Sequence, residues 1–268
     1  GSGDFTASAA RTRLRNGAAF TGDVTLTATN ATLAYEYSGS LASGRSVIFY
    51  SATTGSKFFS VEGSNTLTIE NGATVRGRNG QIRGGLFTAG TQSIVNNGLI
   101  SADFSNSSIQ FHSSVENFTN NGVAEAINGA TLDVAAASWT NSATGTMRVT
   151  GASSELIFDG VWTNMGAVEI TDGTLTLDGA FTTADMNIGG WTRSGGVVNV
   201  EGALDNTGDT ITLTAATGAL RIDGGTITGG TIVENGAALE LSGSNNNVLD
   251  GVTVQGCALS PHSRSMSN

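Results

Sequence analysis

Few side chains in this sequence have the chemistry of a catalytic or metal-binding site. The histidines are His112 and His262, and the single cysteine is Cys257. A structural zinc site takes about four ligands, mostly His and Cys, so such a site is excluded, and a lone cysteine forms no intrachain disulfide. No Gly-x-Ser-x-Gly nucleophile elbow occurs. We therefore predict no catalytic residue, no metal ligand and no cofactor.

Carboxylates and arginines supply the main alternative to that prediction. Polysaccharide lyases and hydrolases need paired carboxylates, or calcium with a basic residue, near the scissile bond. The residues of these types on neighbouring stretches are Arg76, Arg78, Arg83, Glu155, Asp159, Glu169, Asp172 and Asp178. Asp205, Asp209 and Asp223 have the oxygen ligands that calcium prefers. Their spacing does not separate a cleft from a solvated acidic surface, so a glycan-cleaving enzyme or a phage tailspike-like glycan binder remains the alternative function.

Threonine pairs two residues apart raise a third possibility, an ice-binding surface of regularly spaced hydroxyls. Such pairs begin at Thr25, Thr66, Thr174, Thr210 and Thr226. The separations between the pairs are too irregular for one unbroken column of repeats. Outward-facing Thr on ordinary strands explains them more simply.

The charge balance excludes several partners. The chain has 12 Lys and Arg against 22 Asp and Glu, a net charge of −10. Nucleic acid and anionic lipid both require a field of basic side chains, and no run reaches the roughly 18 apolar residues of a membrane span. Residues 1–100 carry a net +3, whereas residues 101–268 carry a net −13. This asymmetry indicates either a solvated acidic surface or head-to-tail attraction between the ends of an elongated molecule.

A repeated sequence motif indicates the fold that positions these candidate residues. It consists of an apolar residue, then Thr or Asp, then Asn, with Gly shortly after. Its copies begin at Ile94, Phe118, Trp139, Trp162, Phe181 and Leu204; the first copy is weaker and the fifth lacks the Asn. Successive copies are 24, 21, 23, 19 and 23 residues apart. A period near 22 residues is typical of one coil of a solenoid.

Short alternating segments separate the motif copies. Apolar residues two apart, such as Met147 and Val149, lie on one face of a strand, and pairs such as Asn128-Gly129 supply tight turns. The same pairs are hairpin signals of an antiparallel sandwich, but a sandwich gives no reason for the same corner residues to recur at a constant period. We predict an all-β fold, a right-handed parallel β-solenoid of about a dozen coils with an N-terminal cap.

The recurrent asparagines predict a structural ladder. In a parallel solenoid equivalent residues stack about 4.8 Å apart, so each side-chain amide is able to bond the next. The predicted ladder consists of Asn97 (or its neighbour Asn96), Asn120, Asn141, Asn164 and Asn206. Such a ladder would satisfy the polar groups of a corner.

The pattern divides the chain into three segments. Residues 1–60, which include Arg11, Arg13 and Arg15 and many aromatic residues, are predicted to form the cap and the first irregular coils. Residues 61–256 form the regular coils, and residues 257–268 form an irregular tail. A cap is expected because the terminal coil of a solenoid otherwise exposes sheet edges.

Corners such as Asn120-Asn121-Gly122, followed by alternating Val, Ile and Leu, resemble those in passenger regions of bacterial autotransporters and filamentous-haemagglutinin-type adhesins. The resemblance is one of repeat style, covers roughly residues 60–256 and transfers no functional residue. It implies a right-handed β-helix exported to the bacterial surface as part of a larger protein. We therefore expect a non-enzymatic structural or adhesive segment, secreted or on the cell surface. Its expected partners are host or matrix glycans and proteins, or further copies of itself bound end to end.

Overall fold

Successive turns of the chain lie on one another as parallel strands. The computed structural model describes the backbone of residues 5–7 and the whole of residues 11–50 and 56–256. Every pairing between two strands of the described chain is parallel and joins one turn to the next, as in the pairing of residues 108–111 with residues 131–134. The predicted all-β parallel solenoid is confirmed, whereas its right-handedness stays a prediction.

Three long sheets form the walls of the solenoid. Sheet A has nine strands: β1 (Phe5–Ala7), β3 (Val24–Leu26), β6 (Ser46–Phe49), β9 (Thr74–Gly77), β12 (Leu99–Ala102), β15 (Val123–Ile127), β18 (Thr146–Thr150), β21 (Ala167–Thr171) and β24 (Trp191–Ser194). Sheet B has eleven: β2 (Arg11–Leu14), β4 (Thr32–Tyr35), β7 (Lys57–Val61), β10 (Gly80–Gly84), β13 (Ser108–Phe111), β16 (Thr131–Val134), β19 (Glu155–Phe158), β22 (Thr174–Leu177), β25 (Val197–Val200), β28 (Leu220–Ile222) and β31 (Leu239–Leu241). Sheet C has six: β5 (Gly39–Leu41), β8 (Thr66–Ile69), β11 (Ser93–Asn96), β14 (Asn117–Asn120), β17 (Ser138–Asn141) and β20 (Val161–Asn164). Each turn contributes one strand to sheet B, so the eleven strands of this sheet are close in number to the dozen or so coils expected from the repeat length.

Two shorter sheets follow in the later turns. Sheet D consists of β23 (Ala180–Thr182), β26 (Ala203–Asp205), β29 (Thr226–Thr228) and β32 (Val248–Asp250). Sheet E consists of β27 (Thr210–Thr214), β30 (Thr231–Asn235) and β33 (Thr253–Gln255). A single helical turn, α1 (Thr183–Met186), and a 3₁₀ helix (Ile188–Gly190) lie between β23 and β24. In the described chain no helix is long and apolar enough to cross a membrane.

The apolar residues that begin the motif copies stack inside the solenoid. Register aligns Ile94, Phe118, Trp139 and Trp162 in sheet C, and Phe181 with Leu204 in sheet D. The rings of Trp139 and Trp162 lie 6.0 Å apart, and those of Trp162 and Phe181 lie 4.7 Å apart. Both indole N–H groups of this sheet C column donate to backbone carbonyls, Trp139 to Asp159 at 2.8 Å and Trp162 to Asp178 at 2.9 Å. The large aromatic residues are therefore buried with their polar atoms satisfied.

The first predicted segment already contains solenoid strands. Strands β2 to β6 lie within residues 11–50 and pair in sheets A, B and C. Arg13 and Arg15 of this segment both form ion pairs with Glu36. The predicted tail, residues 257–268, lies outside the described residues, as do Cys257 and His262.

Candidate functional site

The corner asparagines form a hydrogen-bonded ladder inside the solenoid. Nδ2 of each donates to Oδ1 of the next: Asn96 to Asn120 at 2.7 Å, Asn120 to Asn141 at 2.8 Å, and Asn141 to Asn164 at 2.7 Å. All four side chains are buried. Each contact satisfies a donor and an acceptor that have no access to water.

Asn97 lies beside this ladder rather than in it. Its Oδ1 accepts a hydrogen bond from Asn121 at 2.9 Å, in a half-buried position. The reason is the two-residue period of a strand: Asn96 follows the inward-facing Ile94 by two residues and therefore also points inward. Of the two asparagines that the sequence offers at this corner, Asn96 is the ladder residue.

Asn206 is separated from the ladder by the turn that contains α1. In that turn the carbonyl of Met186 accepts from Nδ2 of Asn164 at 3.1 Å, in the place of the missing asparagine. The hydroxyl of Thr183 then donates to Oδ1 of Asn206 at 2.7 Å. The motif copy without Asn is thus accommodated by a helical turn, which ends the row of amides.

Outside the apolar core, sheet B carries a second row of stacked residues, which we call the charged column; Ala34 and Ser60 in it are fully buried, and its other members are at least partly exposed. From the first turn to the last it consists of Arg13, Ala34, Ser60, Arg83, His112, Ala135, Asp159, Asp178, Glu201, Asp223 and Ser242. The column is basic in its early turns and acidic in its later turns. The column therefore carries part of the charge asymmetry of the sequence on one wall of the molecule.

At the basic end of the charged column an arginine stacks on an aromatic ring. The guanidinium of Arg83 lies 5.3 Å from the centre of the Phe58 ring. His112, in the next turn, has its Nδ1 3.0 Å from the backbone N–H of Ser114, which donates to it. Burial, and then the charge of Arg83, lower the pKa of His112, so the imidazole stays neutral at neutral pH and Arg83 supplies the positive charge.

A buried carboxylate orders the loop beside this basic end. Glu62 is 1 % exposed and accepts from the backbone N–H groups of Phe87 at 2.7 Å and Thr88 at 2.8 Å. The Phe87 ring lies 4.6 Å from the guanidinium of Arg13. Hydrogen bonds to an ionised acceptor are among the stronger ones in proteins, so Glu62 fixes the aromatic surface on which Arg13 stacks.

At the acidic end, successive turns each contribute one carboxylate. Asp159, Asp178 and Glu201 are each followed by glycine, and a Cβ at Gly160, Gly179 or Gly202 would lie within 2.3 Å of a carbonyl oxygen in the preceding turn. Glycine therefore lets the turns approach closely, and the carboxylates stack at about the 4.8 Å strand spacing. Partial desolvation, and then the charges of Asp223, Glu155 and Asp178, raise the pKa of Glu201. Like charges stacked in this way repel one another.

A parallel row of polar side chains lies beside the charged column. Nε2 of Gln81 donates to Oε1 of Gln110 at 3.1 Å, and Nε2 of Gln110 donates to Oδ2 of Asp133 at 2.7 Å. Oδ1 of Asp133 is buried and has no hydrogen-bond partner. Burial, opposed by the bond from Gln110, raises the pKa of Asp133, and the nearby carboxylates raise it further. These three side chains line a shallow groove of about 330 Å³.

The remaining candidate residues of the enzyme alternative lie on sheet A. Arg76 pairs with Asp103, and the guanidinium of Arg78 lies 5.3 Å from the rings of both Tyr50 and Phe104. Glu169 pairs with Arg148 at 2.7 Å, and Arg148 also contacts Glu125 at 3.1 Å. Asp172 occupies the turn between β21 and β22 with a positive φ of 55°. The structure therefore does not bring Arg76, Arg78 and Glu169 together with the sheet B carboxylates Glu155, Asp159 and Asp178.

Two other sets of residues that the sequence suggested are also dispersed. Asp205 lies in β26 of sheet D, Asp209 lies in the turn before β27, and Asp223 directly follows β28 of sheet B. Among the described residues no group of three or more His, Cys, Asp and Glu side chains is arranged to hold a metal ion. The threonine pairs lie on β3, β8, β22, β27 and β29, which belong to five different sheets, and so share no flat face.

Comparison with known proteins returned no match: neither a family model, nor a curated sequence, nor a solved structure is similar to this chain. The relation to autotransporter passengers and filamentous-haemagglutinin-type adhesins stays a prediction from repeat style.

Proposed function

We propose that this chain is a non-enzymatic structural and adhesive segment of a secreted or cell-surface bacterial protein. Its role is to hold outward-facing side chains in fixed columns along a rigid rod. The observation that carries the proposal is that the molecule has two different rows of stacked side chains. An internal asparagine ladder joins the turns by hydrogen bonds, whereas the charged column outside the core places one residue per turn along sheet B.

The geometry of the carboxylates favours a scaffold over a hydrolase. Asp159, Asp178 and Glu201 follow one another along one outward column and so point side by side instead of facing across a cleft. Acid and base carboxylates of glycosidases flank the substrate from opposite sides. A row of parallel side chains instead presents one extended surface to a partner.

The proposal is tested by binding and turnover measured on the same protein. Immobilised chain is probed with host and matrix glycans and matrix proteins, and the same glycans are assayed for new reducing or unsaturated ends. We expect saturable binding without product. Release of product would overturn the non-enzymatic assignment, whereas absence of binding to every surface would overturn the adhesive part and leave a spacer.

One observation favours glycan binding at a defined place. The groove over Gln81, Gln110 and Asp133 presents amide and carboxyl groups of the kind that bond sugar hydroxyls, and the raised pKa of Asp133 is a property that glycosidase acids share. Asp133→Asn separates the two roles. Loss of product formation with binding retained would indicate catalysis, and loss of binding alone would indicate a lectin-like site.

A further inference from the structure

We propose that the outward face of sheet C binds ice, that is, water molecules ordered in a crystal lattice. The face is built by five consecutive strands of this sheet, β8, β11, β14, β17 and β20. The proposal goes beyond the structural and adhesive role and does not depend on it, because it rests on a surface that this role does not use.

The threonine of the repeated motif points outward in three successive turns. Thr119 lies between Phe118 of the core and Asn120 of the ladder. Since alternate residues of a strand point to opposite faces, the side chain of Thr119 is on the outside. Register stacks Thr119 on Thr140, and Thr140 on Thr163. The stacking that forms the aromatic column and the asparagine ladder therefore also forms a column of threonines on the surface.

A second column runs beside the threonines, two residues earlier in each strand. Its members, from the early to the late turns, are Thr66, Ser93, Asn117, Ser138 and Val161. The threonine column itself continues backward through Val95 to Thr68. All ten positions are at least partly exposed, and they carry seven hydroxyls, one amide and two valine side chains. None of the ten is charged, although the chain has 12 basic and 22 acidic side chains.

The backbone places these side chains on a regular two-dimensional grid. Neighbouring strands lie about 4.8 Å apart, and two residues along a parallel strand span about 6.6 Å. The β-branched side chain of Thr has few χ1 rotamers, so each hydroxyl and methyl group is held in a narrow range of orientations. Oxygen atoms in ice repeat at similar distances. Hydroxyls on this grid are therefore able to occupy lattice positions at the surface of an ice crystal.

The chemistry of the face favours ordered water over other partners. The hydroxyls of Thr119, Ser138 and Thr140 have no hydrogen-bond partner among the described residues, so they are available to water. The threonine methyl groups restrict the orientations of the water molecules next to them. A crystalline polysaccharide presents the C–H faces of its sugars, against which an aromatic ring would pack. The ten outward positions include no aromatic residue.

The interior of the solenoid holds the face in shape. The asparagine ladder joins the same strands from within, as in the bond from Asn120 to Asn141 at 2.8 Å. At the late end the hydroxyl of Thr163 donates to Oδ1 of Asp185 in α1 at 2.9 Å, so the helical turn borders the face. A surface that is ordered before it meets the crystal loses little conformational entropy on binding.

The freezing behaviour of water in the presence of the whole chain tests the proposal. In a nanolitre osmometer the wild type is expected to lower the freezing temperature of an ice crystal below its melting temperature and to facet the crystal. Thr119→Tyr with Thr140→Tyr places two bulky side chains at the centre of the face and is expected to abolish both effects. Thr150→Tyr with Thr171→Tyr is the matched control, because these threonines also stack on adjacent strands but lie on sheet A.

A second pair of variants keeps the test decisive if the tyrosines disturb folding, which circular dichroism detects. Thr140→Lys puts a strongly hydrated charge on the face and should also abolish the effects on ice, whereas Thr171→Lys should retain them. A wild-type chain without effect on ice, or equal losses in the sheet A and sheet C variants, would overturn the proposal.

Pull-down on insoluble cellulose and chitin distinguishes ice from a polysaccharide surface. We expect the wild type and the Thr140→Lys variant to be retained to the same extent. Retention that only the sheet C variants lose, in a chain without effect on ice, would assign the face to a polysaccharide and overturn the ice assignment.

Discussion

Nδ2 of Asn120 donates to Oδ1 of Asn141 at 2.8 Å, although 21 residues separate the two along the chain. Asn120 also accepts from Asn96, so its amide links three consecutive turns. The same one-residue-per-turn stacking that makes this internal ladder also builds the charged column on the outside. A substitution at one position therefore changes the contacts of the equivalent residues in the turns before and after it.

Asn120→Ala is expected to lower the free energy of unfolding by about 2–4 kcal/mol, because it leaves one N–H of Asn96, whose other N–H donates to the Val123 carbonyl, and Oδ1 of Asn141 buried without partners. Asn97→Ala removes one half-buried hydrogen bond and should cost less than about 1 kcal/mol. Urea unfolding followed by tryptophan fluorescence measures both. Equal losses in the two variants would contradict the ladder's role.

Gly179→Ala tests the close approach of turns beneath the acidic end. Its φ is +73°, and a Cβ there would lie 2.3 Å from the carbonyl oxygen of Gly160. We expect a loss of more than about 2 kcal/mol from strain and displacement of the backbone. Gly189→Ala, where no atom lies within 4 Å of the added Cβ, is the control. A thermal melt in which both variants match the wild type would show that the turns have room to separate.

Glu62→Gln should release the loop that carries Phe87. The carboxylate accepts from the N–H groups of Leu86, Phe87 and Thr88, and an amide directs an N–H₂ group at some of these donors. Losing charge-assisted bonds of this type costs about 1.5–3 kcal/mol each. We expect faster hydrogen exchange at Phe87 and Thr88 than in the control Glu70→Gln. Unchanged exchange at these two amides would mean that the loop is held by other contacts.

Glu201→Gln is expected to change how stability depends on pH. Partial desolvation, and then the neighbouring carboxylates, raise the pKa of Glu201 in the folded protein, so the folded state holds its proton to a higher pH than the unfolded state does. The stabilisation from this group is full below the pKa of the unfolded chain and is lost as the pH rises through the folded pKa. The variant should therefore be more stable than the wild type at pH 7, with the difference shrinking toward about pH 4. Urea midpoints at several pH values measure this, and a difference that grows in acid would contradict it.

Much of the fold was predictable because the corner residues recur once per turn. Phe118, Trp139 and Trp162 begin motif copies in the sequence and stack directly on one another in the structure. Stacked turns of similar size give a repeat of similar length, so the period near 22 residues indicated the solenoid without any knowledge of side-chain contacts. The choice between Asn96 and Asn97 needed the strand boundaries, which a repeat length does not supply.

The candidate site was less predictable because it depends on which wall each residue occupies. Arg83 and Asp159 lie in one outward column, yet 76 positions separate them along the chain. Turns of unequal length, such as the one that contains α1, shift the spacing between equivalent residues. Counting along the sequence therefore assigns carboxylates and arginines to neighbouring turns but not to the same wall.

The sequence by itself determined the parallel stacking and the identity of the residues at the corners. Backbone hydrogen bonding between turns places equivalent residues next to one another, so a side chain that bonds or packs against its own kind is favoured at every turn. Only the tertiary structure decided that Asn96 enters the ladder, that Met186 ends it through a carbonyl, and that Arg83 and Asp178 share one face. These outcomes depend on register between turns, and a shift of one residue turns a side chain from the interior to the surface.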